Sequence, residues 1–300
     1  MYDPTDPRSA LATAKASTAP IPDAFDPAQV ALFYAEPPQE SDVTGKSWYV
    51  RGQNFIVVHT DARPGAVLSR KGQQDEYVLI IHAHETRATV AAGKETVAVS
   101  GHSITIVPPG DSAITLPDGG PIVRLFTSAS TDLAAKCSNA AAYAEAHKTV
   151  APLELWPAPP GGFKIRSYSM DIPKQPGRFG RIFRCTTFMV NYLDPQIGPR
   201  DITKLSPHHH DDFEQCSLAV EGSFIHHLRW PWTTNLNAWR ADEAVECASP
   251  SVTVIPPPAI HTTRGMEAGC NQLIDIFCPP RVDFSEKAGW VLNADEYPMP

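Results

Sequence analysis

Proline is the residue that most restricts how this chain can fold, because 30 of its 300 residues are prolines. That share is about twice the usual frequency of roughly 5%. A proline inside a helix costs about 3 kcal/mol, so long helices cannot form most of the chain. Hydrophobic residues make up 42% and aromatic residues 9%, which is enough to build packed cores. We therefore expect many short strands joined by proline and glycine turns.

Charge and hydropathy argue against two classes of partner. The formal net charge is −8 and the sequence pI is near 5.7, whereas non-specific nucleic-acid binding needs a basic surface. The longest apolar runs are short, such as 77–81, so we expect no transmembrane helix and no membrane partner. The first residues lack a signal-peptide pattern, and the six cysteines form no Cys-x-x-Cys pair. We therefore expect free thiols and a cytoplasmic location.

Strand-like segments occur in two groups, and a helical and proline-rich stretch separates them. Thr131 and Asp132 are expected to begin a helix that continues through the alanine-rich residues after them. Both groups contain a strand, a Pro-Pro turn and a second strand, which indicates a diverged duplication. The predicted organisation is an irregular N-terminal arm (1–44), a β domain (45–130), a helix and linker (131–162), a second β domain (163–280) and a tail (281–300).

Histidines are concentrated in the second β domain, where six of the 11 lie between 208 and 261. His208 and His210 are two residues apart, so on a strand both side chains point to the same side. The carboxylate of Glu214 or the amide of Gln215 can return to that point at the start of the next strand. His261 ends a later proline turn. Three histidines and one oxygen ligand leave open positions on an octahedral ion, which suits Fe(II), Mn(II) or Ni(II) better than a closed zinc site.

This spacing resembles the first metal motif of the cupin superfamily. That motif contains His-x-His, an acid or amide four to five residues later, and then a glycine, which would be Gly222 here. Six residues separate the ligand from the glycine in the family pattern. Counting back from Gly222 therefore favours Gln215 as the fourth ligand, while Glu214 lies one residue too far away and remains the alternative.

A later segment, Pro256-x-Pro258-x-x-His261, resembles the second cupin metal motif, although the family usually has glycine where Pro258 stands. The N-terminal domain has a similar turn at 108–110, but Ala113 occupies its histidine position. The resemblance implies an all-β fold with two cupin-type double-stranded β-helix (jelly-roll) barrels in tandem. A short helical linker is expected to join the barrels. A metal site is expected only in the C-terminal barrel.

A second cluster of functional side chains is expected in the segment from His226 to Trp232. Strand alternation sends one of His226 and His227 into the barrel and the other outward. These residues either pack at the barrel mouth or in a dimer interface, or one histidine acts as acid or base while Arg229 binds a substrate carboxylate. The apolar part of the N-terminal arm, 30–34, can exchange onto a partner, so we expect a homodimer. Alternatively, two barrels in one chain already form an internal pseudo-dimer.

The cupin fold does not define one activity, because it hosts dioxygenases, isomerases, epimerases, decarboxylases and binding proteins. The resemblance implies one divalent ion per chain, with Fe(II) as the first choice and Mn, Ni or Zn as alternatives. We expect a mononuclear non-haem Fe(II) dioxygenase that acts on a small oxygenated organic substrate such as a phenol, a hydroxy or keto acid, or a diketone. The alternatives are a metal-dependent isomerase or epimerase and a non-catalytic protein that binds a small molecule.

Overall fold

The computed structural model describes residues 24–300, and these residues contain 21 strands in four β-sheets. Two sheets, one large and one small, make each of two barrels, so the all-β prediction is confirmed. The two α-helices are short: α1 (Thr131–Ala134) and α2 (Val282–Ser285). No helix within residues 24–300 is long and apolar enough to cross a membrane. All six cysteines are free thiols, as predicted.

The N-terminal barrel takes its strands almost entirely from residues 40–127. Its strands are β2 (Glu40–Asp42), β3 (Gly45–Arg51), β4 (Phe55–Ala62), β5 (Ala66–Gln73), β6 (Tyr77–Ile81), β7 (Ala88–Ala92), β8 (Glu95–Val99), β9 (Ser103–Val107), β10 (Gly110–Leu116) and β11 (Gly120–Thr127). The large sheet has the order β9-β6-β11-β4-β3-β2, and the small sheet has the order β5-β10-β7-β8.

The C-terminal barrel repeats this arrangement. Its strands are β13 (Arg181–Arg184), β14 (Met189–Tyr192), β15 (Gln196–Ile197), β16 (Gln215–Glu221), β17 (Ser223–Arg229), β18 (Glu243–Ala248), β19 (Ser251–Ile255), β20 (Ile260–Gly265) and β21 (Cys270–Phe277). The large sheet has the order β19-β16-β21-β14-β13, with β15 beside β21, and the small sheet has the order β18-β17-β20. Because β6 and β16 occupy the same place in the two barrels, residues can be compared by strand register.

Each barrel also receives an edge strand from outside its own segment. The strand β1 (Gln29–Leu32) pairs antiparallel with β19 of the C-terminal barrel, and β12 (Arg166–Ser169) pairs antiparallel with β9 of the N-terminal barrel. The structure therefore differs from the predicted irregular arm, because this part of the arm completes a sheet of its own chain. Pairing satisfies the backbone groups that an edge strand leaves open. The first 23 residues of the predicted arm lie outside the described residues.

The expected helix after Thr131 is interrupted. Helix α1 is followed by a separate 3₁₀ turn, Ala140–Tyr143. Between them, the Asn139 side chain accepts a hydrogen bond from the Arg51 backbone N–H at 3.0 Å and donates one to the Arg51 carbonyl at 2.8 Å. These bonds to β3 hold the chain at the point where an uninterrupted helix would carry it away. Tertiary contacts thus override the local helix propensity of the alanines.

The two large sheets pack face to face, and side chains of both barrels form one hydrophobic core between them. This core contains Val78 and Ile80 of β6 together with Cys216 and Leu218 of β16. Alternate residues of each strand point instead into the barrel of that strand. The two barrels therefore share one hydrophobic core between their large sheets.

A buried carboxylate from the C-terminal barrel reaches across this interface. Glu214, immediately before β16, accepts hydrogen bonds from the backbone N–H of Gln53 at 2.6 Å and from the hydroxyl of Tyr143 at 2.8 Å. Gly52 leaves room for it, because a Cβ there would lie 2.5 Å from the carboxylate. Burial raises the pKa of Glu214, and the donors from the other side of the interface oppose that shift.

The N-terminal barrel makes the same contact in the opposite direction. Glu76, immediately before β6, accepts hydrogen bonds from the backbone N–H of Thr186 at 3.0 Å, from its hydroxyl at 2.8 Å and from the Tyr297 hydroxyl at 2.8 Å. Burial raises the pKa of this carboxyl group also. Each barrel thus inserts one glutamate into a turn of the other, Glu214 into the turn between β3 and β4 and Glu76 into the turn between β13 and β14. We call these two contacts the glutamate braces.

Replacement of Gly222 by alanine tests the packing of the C-terminal barrel. Gly222 has φ +85°, and a Cβ there would lie 2.6 Å from the Cys270 carbonyl oxygen. Gly65 has a similar φ of +78° but no atom within 4 Å of the added carbon. We expect Gly65→Ala to cost about 1–2 kcal/mol of unfolding free energy and Gly222→Ala roughly 1–3 kcal/mol more. Denaturant unfolding of both variants measures the difference, and equal costs would contradict the close contact.

Candidate metal centre

Three histidines converge inside the C-terminal barrel because two chain segments pair at its end. The backbone N–H of His208 donates to the His261 carbonyl at 3.0 Å, and the N–H of His261 donates back at 2.7 Å. This isolated antiparallel bridge places the loop before β16 beside β20. His210 follows two residues later, and the possible ligand atoms of the three histidines all lie within 4.8 Å of one another. His210 and His261 are almost completely buried.

Gln215 adds an oxygen to this cluster. Its Oε1 lies 2.9 Å from Nε2 of His210 and 3.2 Å from Nε2 of His261. Its amide nitrogen donates to the Ser217 hydroxyl and to the Asp275 carboxylate, both at 3.1 Å. An ionised carboxylate only accepts hydrogen bonds, so Asp275 fixes the amide with its oxygen toward the histidines. We call His208, His210, His261 and Gln215 the barrel cluster.

The donor set of the barrel cluster fits a metal ion. Nδ1 of His261 lies 2.9 Å from the Ala259 carbonyl oxygen, and Nδ1 of His208 lies 2.9 Å from the Ser206 carbonyl oxygen. Carbonyl oxygens only accept, so each Nδ1 carries a proton and Nε2 is the nitrogen left to ligate a metal. When the His261 ring is neutral, its Nε2 and the amide oxygen of Gln215 both offer lone pairs, and a cation between them would be bound by both.

His210 forms the apolar side of the barrel cluster. Its ring stacks on Phe213 with centroids 4.4 Å apart and meets the edge of Phe277 at 5.9 Å. Burial, with a further contribution from the nearby Arg281 charge, lowers the pKa of His210 well below its ordinary value. The imidazole is therefore neutral at pH 7, which is the form that ligates metals.

Of the two alternatives for the fourth ligand, Gln215 lies at the barrel cluster and Glu214 does not. Neighbouring residues of a strand point to opposite faces, and the side chain of Glu214 is held in its brace by Gln53 and Tyr143. The structure thus separates the carboxylate from the histidines.

The β17 residues that were expected near the substrate do not lie at the barrel cluster. His226 is buried with Nδ1 2.8 Å from the Thr263 hydroxyl, and burial lowers its pKa to about 3. His227 points to the opposite face and is half-buried. Arg229 is exposed and its Nε lies 3.0 Å from the Asp242 carboxylate. Arg229 was expected to bind a substrate carboxylate, but it pairs with an acid of its own chain. Neither His226 nor His227 lines the cavity at the barrel cluster.

A cavity of about 580 Å³ opens onto His208, Gln215 and His261. Asp275 also lines it and was not among the expected site residues. The sequence signal was a single acid inside an apolar strand, since Asp is rarely buried without a partner. The cavity is also lined by four cations that were not predicted as site residues and that lie in loops without periodic pattern: Lys174, Arg178, Arg200 and Lys204.

The N-terminal barrel has different side chains at the position of the barrel cluster. Ser112 of β10 pairs with Arg70 of β5, and this pair corresponds to the bridge between His261 and His208 in the other barrel. Ser112, rather than Ala113, therefore occupies the histidine position. Tyr77 begins β6 as the glutamine begins β16, and its hydroxyl lies 3.0 Å from the Ser112 hydroxyl. An aromatic ring thus fills the space that is lined by metal-ligand atoms in the other barrel.

No protein-family model matches the sequence, and no curated protein matches it either. Solved structures do match. The formate complex of Lactobacillus farciminis oxalate decarboxylase is 14% identical with a TM-score of 0.57, covering 84% of this chain and 86% of that chain. AerE from Microcystis aeruginosa is 9% identical with a TM-score of 0.53, covering 86% of this chain and 100% of that chain.

The likeness extends over both barrels and decides the architecture. This chain has the bicupin fold. The jelly-roll prediction is confirmed by it. Identities this low show the fold alone, so the bicupin fold explains why the barrel cluster forms but does not assign its reaction.

Substitutions at 214 and 215 distinguish the metal ligand from the brace. We expect Gln215→Ala to weaken binding of Fe(II) or Mn(II) by about 100-fold, because it removes the only oxygen at the barrel cluster that faces the histidines. Glu214→Gln is expected to keep the full metal content, since its side chain contacts Gln53 and Tyr143 instead. Metal analysis after equilibrium dialysis measures both variants. Loss of metal in Glu214→Gln with retention in Gln215→Ala would reverse the assignment.

Proposed function

We propose that this bicupin is a metal-dependent enzyme that acts on a small anionic organic substrate. His208, His210, His261 and Gln215 hold one divalent ion, with Fe(II) as the first candidate. The observation that carries the proposal is the combination of this donor set with a cavity of about 580 Å³ that opens onto it. A closed structural site would have neither the cavity nor open coordination positions.

Charge supports an anionic substrate. All four proposed ligands are neutral, so an ion held by them keeps its full double positive charge. Four cationic side chains line the cavity with only two carboxylates, and the pairing of Asp194 with Lys174 at 3.4 Å leaves three cations and one carboxylate. Opposite charges at a cavity mouth raise the local concentration of a charged ligand. A carboxylate, phenolate or enolate of the size of a small hydroxy or keto acid matches both the charge and the volume.

The residues around the ion have separate roles in this proposal. Asp275 and Ser217 are positioning residues, because they hold the amide of Gln215 with its oxygen toward the histidines. Phe213 and Phe277 pack against His210 and exclude water from one side of the ion. Water exclusion strengthens the interaction between the ion and a bound anion.

Bound Fe(II) supplies neighbouring open positions for substrate oxygen atoms and O₂, which is the basis for proposing a dioxygenase. Both atoms of O₂ then enter the organic product, so the reaction needs no other reductant. The chain contributes orientation of the substrate and a partly dry cavity.

A second candidate is a metal-dependent reaction without net oxygen uptake, such as decarboxylation or isomerisation. The basic lining of the cavity suits a small dicarboxylate equally well, and the solved structures that share the fold include oxalate decarboxylases. In this case a bound ion would polarise a substrate oxygen, and a proton donor would be required nearby. Neither His226 nor His227 lines the cavity, so the histidines of β17 do not supply that proton.

Oxygen uptake tests the proposal. Metal-free protein is loaded with Fe(II) or Mn(II) and given a panel of phenols, hydroxy and keto acids, diketones and oxalate, while O₂ consumption and CO₂ release are followed. We expect O₂ uptake with Fe(II) and at least one acid or phenol of the panel. His261→Ala should abolish both the metal content and the uptake while leaving the unfolding transition in place.

The outcomes separate the two candidates. Release of CO₂ from oxalate without O₂ uptake would support the decarboxylase, whereas no turnover with any metal and substrate would leave only a binding function. Turnover that His261→Ala leaves unchanged would refute a role for the barrel cluster.

Lys204 tests the anionic nature of the substrate. It is an exposed residue that lines the cavity. Exposed charge pairs contribute about 0.2–1 kcal/mol, and roughly 1.4 kcal/mol corresponds to tenfold. We therefore expect Lys204→Ala to raise KM about two- to fivefold for anionic substrates at low salt, with unchanged metal content. Lys71→Ala is the matched control, because Lys71 is exposed on the other barrel and pairs with Asp111. An equal effect of both substitutions would contradict a specific role for the cavity cation.

A further inference from the structure

A second cavity, of about 710 Å³, lies at the seam between the two barrels and shares no lining residue with the cavity of the barrel cluster. Gln272 lines the seam cavity and Asp275 lines the other one, since residues three apart on β21 point to opposite faces. The polar side chains of the seam cavity come from both barrels and are His82, His84, Glu85, His102, Asp171, Arg181, Tyr192, Glu221, Cys270 and Gln272. The proposed function uses none of them.

Two imidazoles and a carboxylate meet at the mouth of the seam cavity. Nδ1 of His102 lies 2.6 Å from Oδ1 of Asp171, and the rings of His84 and His102 lie 4.2 Å apart. The possible ligand atoms of the three residues lie within 4.8 Å of one another. We propose that His84, His102 and Asp171 bind a second divalent ion of the zinc type, with a remaining position open to the seam cavity. Two imidazole nitrogens and one carboxylate oxygen are donors that Zn²⁺ accepts in open sites.

The backbone brings the two histidines together at a conformational cost. His102 has φ 51°, and it is the one non-glycine residue of the described chain with positive φ. Non-glycine residues with such a φ are strained, and they cluster at ligand-binding sites. Gly101 allows the turn to approach the loop that carries His84, because a Cβ at 101 would lie 2.4 Å from the His84 carbonyl oxygen. The close approach and the left-handed residue together aim the His102 ring at its partners.

The C-terminal barrel holds His102 in an orientation that suits ligation. The Tyr192 hydroxyl lies 3.0 Å from Nε2 of His102 and 3.0 Å from Nδ1 of His82. Without an ion, Nδ1 of His102 donates to the Asp171 carboxylate and Nε2 accepts from the Tyr192 hydroxyl. An ion bound at Nδ1 would replace that proton, after which Nε2 donates to the tyrosine oxygen and the tyrosine O–H donates to His82. Burial lowers the pKa of His102, which favours the neutral ring. The Asp171 side chain is 59% exposed, so it can rotate to admit the ion.

The opposite seam supplies an internal comparison. The pairing of β1 with β19 has the same place in the fold as the pairing of β12 with β9. By these registers, Pro250 corresponds to His102 and Tyr34 corresponds to Asp171. Proline has no side-chain donor atom, and tyrosine is an uncommon ligand for zinc. The fold alone therefore does not require a histidine and a carboxylate at this position.

Zinc binding tests the second site independently of the barrel cluster. The full-length chain with His261→Ala, freed of metal, is dialysed against Zn²⁺ and analysed for bound metal. We expect one Zn²⁺ per chain in this background and two in the unsubstituted chain. Adding His84→Ala or Asp171→Ala is expected to weaken the remaining binding at least about 100-fold, and Tyr192→Phe about 10- to 100-fold. The exposed Asp118→Ala is the matched control and should leave it unchanged.

Cobalt gives a second readout, because four-coordinate Co²⁺ absorbs visible light far more strongly than six-coordinate Co²⁺. We expect the stronger absorption in the His261→Ala background and its loss after His84→Ala. Equal Zn²⁺ affinity in the His84→Ala, Asp171→Ala and Asp118→Ala chains would overturn the proposal and leave a His102–Asp171 hydrogen bond only. Failure of the second site leaves the barrel cluster unaffected, because the barrel cluster is tested by metal lost on His261→Ala.

Discussion

The burial of one glutamate of each barrel in the other is the contact on which the candidate site depends. Glu214 is fixed by Gln53 and Tyr143, so the next residue on the strand must turn into its own barrel. That residue is Gln215, whose side-chain oxygen belongs to the barrel cluster. The same rule applied to Glu76 turns Tyr77 into the N-terminal barrel, where its ring fills the corresponding space. The register of both barrels is therefore set at their common interface, and the geometry of the barrel cluster rests on the presence of the other barrel.

The sequence predicted those parts of the molecule that depend on residues close together in the chain. Short strands, proline turns and the spacing of His208, His210 and His261 led to the fold and to three side chains that the structure brings together. The choice between Glu214 and Gln215 needed the partner of the glutamate, which lies in another barrel. The break in the helix after Thr131 has the same cause, since its hydrogen bonds come from β3. Contacts between residues far apart in sequence leave no mark on local periodicity.

The two barrels share a backbone plan but differ in where they place polar groups. The N-terminal barrel fills its interior with Tyr77 and the buried, charged Arg124, while the C-terminal barrel surrounds its interior space with imidazoles. At the seams the distribution is reversed, because His82, His84 and His102 belong to the N-terminal barrel. Duplicated copies of one fold can thus place separate polar sites in different parts of a single molecule.

The exchange of edge strands has a consequence for the order of folding. Strand β1 begins at residue 29, but its partner β19 begins at residue 251, so more than two hundred residues separate the paired strands. During synthesis β1 stays without its partner until nearly the whole chain has left the ribosome, whereas the N-terminal barrel lacks only β12 once β11 is made. Contacts this distant in sequence form slowly and leave an open strand edge exposed meanwhile. A nascent chain of this protein therefore presents a ready pairing partner to other copies until its last sheet closes.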